Sequence, residues 1–286
     1  MSRIAYVNGQ YQPLFEAGVH VEDRGYQFSD GVYEVIYFQN GRMIDEAGHL
    51  DRLERSLSEL SIKMPMARKP LQVVMGEIIR RNGLSSGILY IQISRGVARR
   101  DHPFPPAIAP SLVMTVRRVR QLSEAAAAKG VSVITIPDIR WARRDIKSIS
   151  LLPNILGKQQ AKEAGAYEAW MVEPSGEVTE GTSTNAWIVT KQGELITHQP
   201  DHSVLNGITR QAVIELAALR QVKVVERAFT LAEAKDAAEA FITSTTCFVM
   251  PVVRIDGQAV GEGGRAGRLT LDLRAAYRDR IKGGQA

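Results

Sequence analysis

WARRDIKSISLLPN, residues 141–154, is the stretch around which the rest of the chain is organised. Read as an extended segment, expected over Asp145–Leu151, its side chains alternate faces and Lys147 shares one with Ile149 and Leu151. Burial disfavours an ammonium ion, so an amine turned toward apolar neighbours becomes a usable nucleophile. Lysine also forms Schiff bases with carbonyl compounds. The commoner arrangement is a lysine that lays its stem along the surface and keeps its head in water. What surrounds Lys147 in the chain has to decide between the two.

The chain has 286 residues, enough for one large domain or two ordinary ones. Its 44% hydrophobic and 23% charged residues are ordinary for a globular protein. Cys247 is the single cysteine, which excludes an internal disulfide framework and a CxxC metal or redox motif; no metal is expected. The start, MSRIAYVNGQYQP, holds no apolar core of signal-peptide length, and no membrane-length apolar run follows. A cytoplasmic protein is the expectation. The net charge of +5 is carried partly by scattered arginine pairs such as Arg99–Arg100 and Arg143–Arg144. No block of like charge or aromatic-basic interleaving accompanies them, so small acidic substrates account for them at least as well as nucleic acid does.

Working outward, Asn8-Gly9 and Asn40-Gly41 are two-residue hairpin signals. Val32–Gln39 reads as a strand apolar on both faces, hence central and covered on both sides. Tyr33, Val35 and Tyr37 share one face; Val32, Glu34, Ile36 and Phe38 share the other. Leu50, Leu53, Leu57 and Leu60 mark the buried stripe of a helix over Gly48–Ile62, with His49, Arg52 and Ser56 beside it. A helix over Leu71–Asn82 and strands at Ile88–Ser94 and Ser111–Val116 follow, the two strands separated by the loop RGVARRDHPFPP. An alanine-rich helix around Gln121–Gly130 is the candidate boundary, because strands and helices restart after it. That divides the chain into an N-terminal domain, 1–120, and a C-terminal domain, 121–286. Asn154–Gly165 and the stretch through Arg220 read as helices. Strands outnumber helices in each half, an α+β or mixed α/β pattern.

Several residues could carry chemistry. Asn206-Gly207-Ile208-Thr209 opens a helix, whose unpaired N–H groups and dipole suit a phosphate, although Asn-Gly there is ordinarily just a cap. The hydroxyl run in Phe241–Thr246 is ordinarily a turn. Glu180 stands where a strand breaks before Gly181; a carboxylate there can hold a pyridine nitrogen protonated, or simply lie in an exposed loop. Arg52 can grip a phosphate through two N–H groups or sit at a helix edge. The Arg99–His102 loop fits a carboxylate clamp or a solvated loop.

Taken together and in order, EDRGYQFSDGVYEV, HLDRL, RGVARRDHPFP, DIRWARRDIKSISLL, VTEGTSTN, LNGITR and ITSTT resemble the fold type IV pyridoxal-phosphate enzymes. Within these they are most similar to the D-amino-acid aminotransferases, and the resemblance runs through nearly the whole chain. It implies a smaller N-terminal α/β domain and a larger, barrel-like C-terminal domain. Lys147 would bear pyridoxal 5'-phosphate as a Schiff base and shuttle the proton, and Glu180 would pair with the pyridine nitrogen. Arg52, the N–H groups of Ile208 and Thr209, and Ser244 with Thr245 would cradle the phosphate, and Leu205 would pack on the ring. Tyr33, Arg100 and His102 would trap the substrate α-carboxylate, Arg100 and His102 from the other subunit of a homodimer. The implied reaction is ping-pong transamination between D-amino acids of the alanine and glutamate class and 2-oxo acids.

Asn206 departs from the lysine that close members carry before GITR, Ser29 replaces a glycine, and the second hydroxyl run ends in Cys247. Within the same fold the alternatives are a branched-chain L-aminotransferase, an (R)-amine transaminase and an aminodeoxychorismate lyase. RGVARRDHPFP favours the D-type enzyme, because it supplies Arg100 and His102. A non-catalytic basic binding domain would leave the ordered motifs unexplained.

Overall fold

A computed structural model describes residues 3–119 and 122–283. The chain divides into two compact units, Met1–Arg120 with Ile146–Ser150, and Gln121–Asp145 with Leu151–Ala286. The boundary expected at residues 120 and 121 lies outside the described residues. The architecture is mixed α and β.

In the first unit, β1 (Ile4–Val7) and β2 (Gln10–Pro13) form a hairpin, followed by the short helix α1 (Arg24–Phe28). Then come β3 (Gly31–Gln39), β4 (Arg42–Met43), α2 (Glu46–Glu59), α3 (Arg68–Asn82), β5 (Ser86–Ser94) and β6 (Ser111–Arg117). The sheet is antiparallel, in the order β2-β1-β6-β5-β3-β4. Both hairpin dipeptides turn as their chemistry requires, with positive φ at Asn8, Gly9, Asn40 and Gly41. The leucine stripe of α2 (Leu50, Leu53, Leu57) packs on Val32, Ile36 and Phe38 of β3 and on Leu71 and Met75 of α3. Each such side chain contributes about 1.5–3 kcal/mol by leaving water. The opposite face of β3 is more open than its composition implies: Tyr33 and Val35 are only half-buried.

The segment around Lys147 is not the strand its alternation predicts. It makes an isolated bridge, Val32 to Ser148, flanked by Tyr33 N donating to Lys147 O (3.0 Å) and Ile149 N to Gly31 O (3.1 Å). The segment turns on itself, Ser148 N donating to Ile146 O at 2.8 Å, so it meets β3 over a short contact. Along that side of β3, β4 takes only Phe38 and Gln39, so the segment finds bare backbone near the start of the strand and covers it.

The second unit holds α4 (Glu124–Ala128), β7 (Val131–Pro137), α5 (Leu152–Glu163), β8 (Glu168–Val172), β9 (Glu177–Gly181), β10 (Asn185–Val189) and β11 (Leu195–Thr197). It continues through α6 (Ile208–Leu219), β12 (Val224–Glu226), β13 (Phe229–Thr230), α7 (Leu231–Asp236), β14 (Glu239–Ser244), β15 (Phe248–Ile255), β16 (Gln258–Ala259) and α8 (Arg268–Lys282). The helix expected over 121–130 is thus one short turn, α4.

The mixed sheet runs β12-β11-β10-β14-β15-β7-β8-β9-β13, with β16 on β15. In that order β9 and β10 stand five places apart, about 24 Å in a flat sheet. Yet only Thr182, Ser183 and Thr184 join them, a link that spans at most about 14 Å. Gly181 N also donates to Thr184 O at 2.7 Å. The sheet therefore curls into a half-barrel, around a core that includes Trp170, Ile188, Phe229 and Ile242.

Candidate active site

The first unit carries the expected amine and guanidinium. Lys147 is half-buried, with Nζ 4.2 Å from the centre of the Tyr33 ring. Its backbone is tied at both ends: its carbonyl accepts from Tyr33, and its N–H donates to Ser56 Oγ on α2 at 3.3 Å. Among the described residues no carboxylate pairs with its amine, so the ammonium is not committed to a structural ion pair.

Arg52 donates to Glu34 through Nε (2.7 Å) and Nη2 (2.9 Å), a two-point contact that fixes the plane of the guanidinium. His49 Nδ1 lies 2.8 Å from Glu34 Oε2, the oxygen that also accepts from Arg52 Nη2. Glu34 is fully buried, which opposes its ionisation, but Arg52 and His49 more than offset this and hold the carboxyl well below the usual range. Burial pushes His49 below the ordinary imidazole value, against the pull of Glu34. An ionised carboxylate only accepts, so the proton in this contact sits on His49 Nδ1. Glu34 and His49 were not singled out from the sequence as site residues. The signal was present: a carboxylate on the Val32-Ile36-Phe38 face needs a buried cation.

Arg100 and His102 are exposed on the loop between β5 and β6. The Arg100 guanidinium lies 4.7 Å from the centre of the Phe28 ring, and the His102 ring is 5.6 Å from it. No hydrogen bond or ring contact joins either residue to Tyr33 within the described chain. The structure brings Tyr33 together with Lys147, and Arg100 together with His102, as separate pairs.

The second unit carries the carboxylate and the donors. Glu180, near the end of β9, is 5% exposed. Arg140 Nη1 donates to its Oε1, Asn185 Nδ2 donates to its Oε2 at 3.0 Å, and Leu205 N reaches both oxygens at 3.3 and 3.2 Å. Burial pushes its carboxyl up and Arg140 pulls it back, leaving it above the ordinary value. A carboxylate of raised basicity with acceptor capacity left is a strong partner for a charged ring N–H. Behind it Asp138 binds Arg140 through Nε (3.0 Å) and Nη2 (2.7 Å). Arg140 was missed in the sequence, because among scattered arginines nothing local distinguishes the one that meets a carboxylate 40 residues away.

Asn185 also donates to Leu205 O at 2.8 Å, so one amide ties Leu205 to the Glu180 carboxylate. Gly207 backs onto that amide: a Cβ there would come within 2.0 Å of Asn185 Oδ1. Ile208 and Thr209 then open α6, both buried, and no side chain caps this helix start. N–H groups at such a helix start suit an anionic ligand. Ser244 ends β14 with its Oγ accepting from the N–H groups of Thr246 (3.3 Å) and Cys247 (3.2 Å), and Thr245 is half-buried in the turn beyond. The structure thus ties Glu180 to Leu205, while Ser244 and Thr245 lie on a separate turn.

The two donor sets fit pyridoxal phosphate. An uncommitted amine and a fixed guanidinium stand on one unit; a basic buried carboxylate, an uncapped helix start and hydroxyls stand on the other. No group of His, Cys, Asp or Glu among the described residues is placed to hold a metal ion.

The family model described as amino-transferase class IV matches residues 31–255. D-alanine aminotransferase of Bacillus licheniformis is 41% identical over 274 residues, covering 96% of this chain and 95% of the relative. D-alanine aminotransferase of Listeria innocua is 38% identical over 282 residues, with 96% and 95% covered. Among solved structures, the T.th. branched-chain amino acid aminotransferase with pyridoxamine 5'-phosphate matches with a TM-score of 0.91 at 26% identity, covering 100% and 96% of the two chains.

Proposed function

The chain belongs to the class IV aminotransferases, and from that premise we propose that it exchanges amino groups between D-amino acids and 2-oxo acids with pyridoxal phosphate. The observation that carries the D-amino-acid reading is Arg100 and His102 held together on Phe28, a guanidinium and an imidazole donor for an α-carboxylate. The relatives at 41% and 38% identity are D-alanine enzymes. The structural neighbours named for branched-chain amino acids keep L-leucine as the competing donor to be tested.

When bound, the cofactor supplies an aldehyde carbon for an amine and a ring that withdraws electrons from the substrate α-carbon. Lys147 would hold the cofactor through its amine, and with that amine free it would serve as the base that takes the substrate α-proton and the acid that returns one. Its backbone ties to Tyr33 and Ser56 aim the amine. Glu180 would accept from the ring nitrogen and keep it protonated. Arg52, the Ile208 and Thr209 N–H groups, Ser244 and Thr245 would hold the phosphate, and Leu205 would pack on the ring. Tyr33, Arg100 and His102 hold the substrate carboxylate, and where they hold it decides which face of the α-carbon meets Lys147. Half-reactions follow in turn, which is ping-pong kinetics.

Two chains pair, each lending Arg100 and His102 to the other's site, which accounts for the lack of contact between these residues and Tyr33 in one chain. Leu152 and Ile155 on α5 are 66% and 60% exposed, apolar surface that a second copy would cover. No described helix is long and apolar enough to cross a membrane. The lone, buried Cys247 suits the reducing cytoplasm in which we place the enzyme.

The deciding experiment is the absorbance spectrum of the purified protein with pyridoxal phosphate, before and after D-alanine, with L-alanine and L-leucine as controls. Loss of the long-wavelength band to a shorter-wavelength one with D-alanine alone is expected. Conversion by L-leucine alone would overturn the D-amino-acid reading.

A further inference from the structure

Arg100 and His102 lie on an exposed loop just beyond the backbone bridge between Asp23 and Val97, yet a clamp must hold two side chains at a fixed spacing. The loop's anchorage is concentrated in α1. Arg24, the first residue of that helix, is 3% exposed. Its guanidinium donates from Nη1 to Asp101 O at 2.6 Å and from Nη2 to His102 O at 3.2 Å. The third nitrogen, Nε, donates to Asp30 Oδ2 at 2.8 Å. One rigid fork thus binds two successive carbonyls of the loop and is itself held by a carboxylate.

Asp30 is shared. Arg95 donates to it through Nε (2.7 Å) and Nη2 (3.0 Å), donates to Leu60 O and Ser61 O at 2.7 and 3.2 Å, and stacks 3.5 Å from the centre of the Phe104 ring. The loop is therefore gripped at Asp101–His102 by Arg24 and at Phe104 by Arg95, through one common carboxylate.

Phe28, the last residue of α1, serves the side chains as Arg24 serves the backbone. Its ring lies under the Arg100 guanidinium, beside the His102 ring, and 4.9 Å from the Arg24 guanidinium. Exposed arginine and histidine side chains otherwise sample several rotamers; a shared aromatic face restricts both at once.

We infer that α1 is the seat of the carboxylate clamp, with Arg24 and Phe28 as positioning residues that set where Arg100 and His102 stand. The inference rests on the D-amino-acid transamination proposed above. Arg24 and Phe28 act through the clamp and not on the reacting atoms, so their loss weakens binding of the substrate carboxylate and leaves proton transfer at Lys147 intact.

The test compares KM and kcat for D-alanine in wild-type holoenzyme and in Phe28→Leu, Phe28→Tyr and Arg24→Lys. Phe28→Leu is expected to raise KM about fivefold, the loss of one exposed cation–π contact, with kcat little changed. Phe28→Tyr keeps a ring and should restore the wild-type KM. Arg24→Lys keeps the charge but loses the fork, and should raise KM about tenfold or more, since a hydrogen bond to a charged group is lost. The bound-cofactor spectrum and melting temperature should be unchanged in both Phe28 variants. An unchanged KM in Phe28→Leu, a fall in kcat alone, or Phe28→Tyr behaving like Phe28→Leu would each overturn the inference. Should Arg24→Lys fail to fold, the two Phe28 variants decide alone. A wild-type enzyme inert to D-alanine would instead overturn the functional reading, and the seat with it.

Discussion

At the scale of single residues, the charged groups divide into those that hold the protein and those left for chemistry. Glu34 belongs to the first kind. Its pKa is depressed, so its contribution to stability is present above the ordinary carboxylate value, near pH 4, and is lost as pH falls through the depressed one. Glu34→Gln should therefore destabilise the protein by about 3–5 kcal/mol at pH 7, the result of leaving Arg52 without its buried partner. The gap from wild type should narrow as the medium is acidified, which thermal melts across pH will show. Lys147 belongs to the second kind. Lys147→Ala should abolish the long-wavelength band of the cofactor and shift the melting temperature of the cofactor-free protein little, because among the described residues no carboxylate pairs with this half-buried amine. A retained band would assign the cofactor to another lysine. Arg140 stands between the two kinds. It opposes the upward push of burial on Glu180, so Arg140→Gln should raise the Glu180 pKa further. The acid limb of the kcat/KM profile should then move to higher pH. An unmoved limb would show that Arg140 does not control that ionisation.

At the scale of elements, close backbone approach matters more than propensity. Helix α6 begins at a glycine because Asn185 occupies the space of a Cβ. Gly207→Ala must displace the amide that ties Glu180 to Leu205, and should weaken cofactor binding about tenfold in an absorbance titration, with the protein still folded. The leucine stripe of α2 was legible from its period, as was the break between Glu180 and the hydroxyl run. The segment at 146–150 was not. Its alternation fits a strand, but an extended segment becomes one only where it runs along a partner edge, and this one turns at Ser148, whose N–H donates to Ile146 O.

At the scale of the whole molecule, the proposed pairing of two chains draws on the exposed apolar residues of α5 and on the loop that carries Arg100 and His102. Sedimentation should show a species of twice the chain mass. A Leu152→Asp and Ile155→Asp double variant should shift it toward one chain and lose D-alanine turnover together. Turnover by a separated chain would refute the shared site. The curl of the second unit follows from connectivity: three residues cannot join strands five places apart unless the sheet bends.

The sequence by itself determined the hairpins at Asn8-Gly9 and Asn40-Gly41, the apolar face of α2, the mixed α and β class and the family to which the ordered motifs belong. Those features are written within a few residues of one another, in turn chemistry, period and motif. Only the tertiary structure decided that Glu34 holds Arg52, that Arg140 holds Glu180, and that Arg24 grips the loop of Arg100 and His102. These contacts join residues 18, 40 and 77 positions apart. A buried charge must find a partner, but which partner depends on strand register and helix placement, and neither is encoded locally.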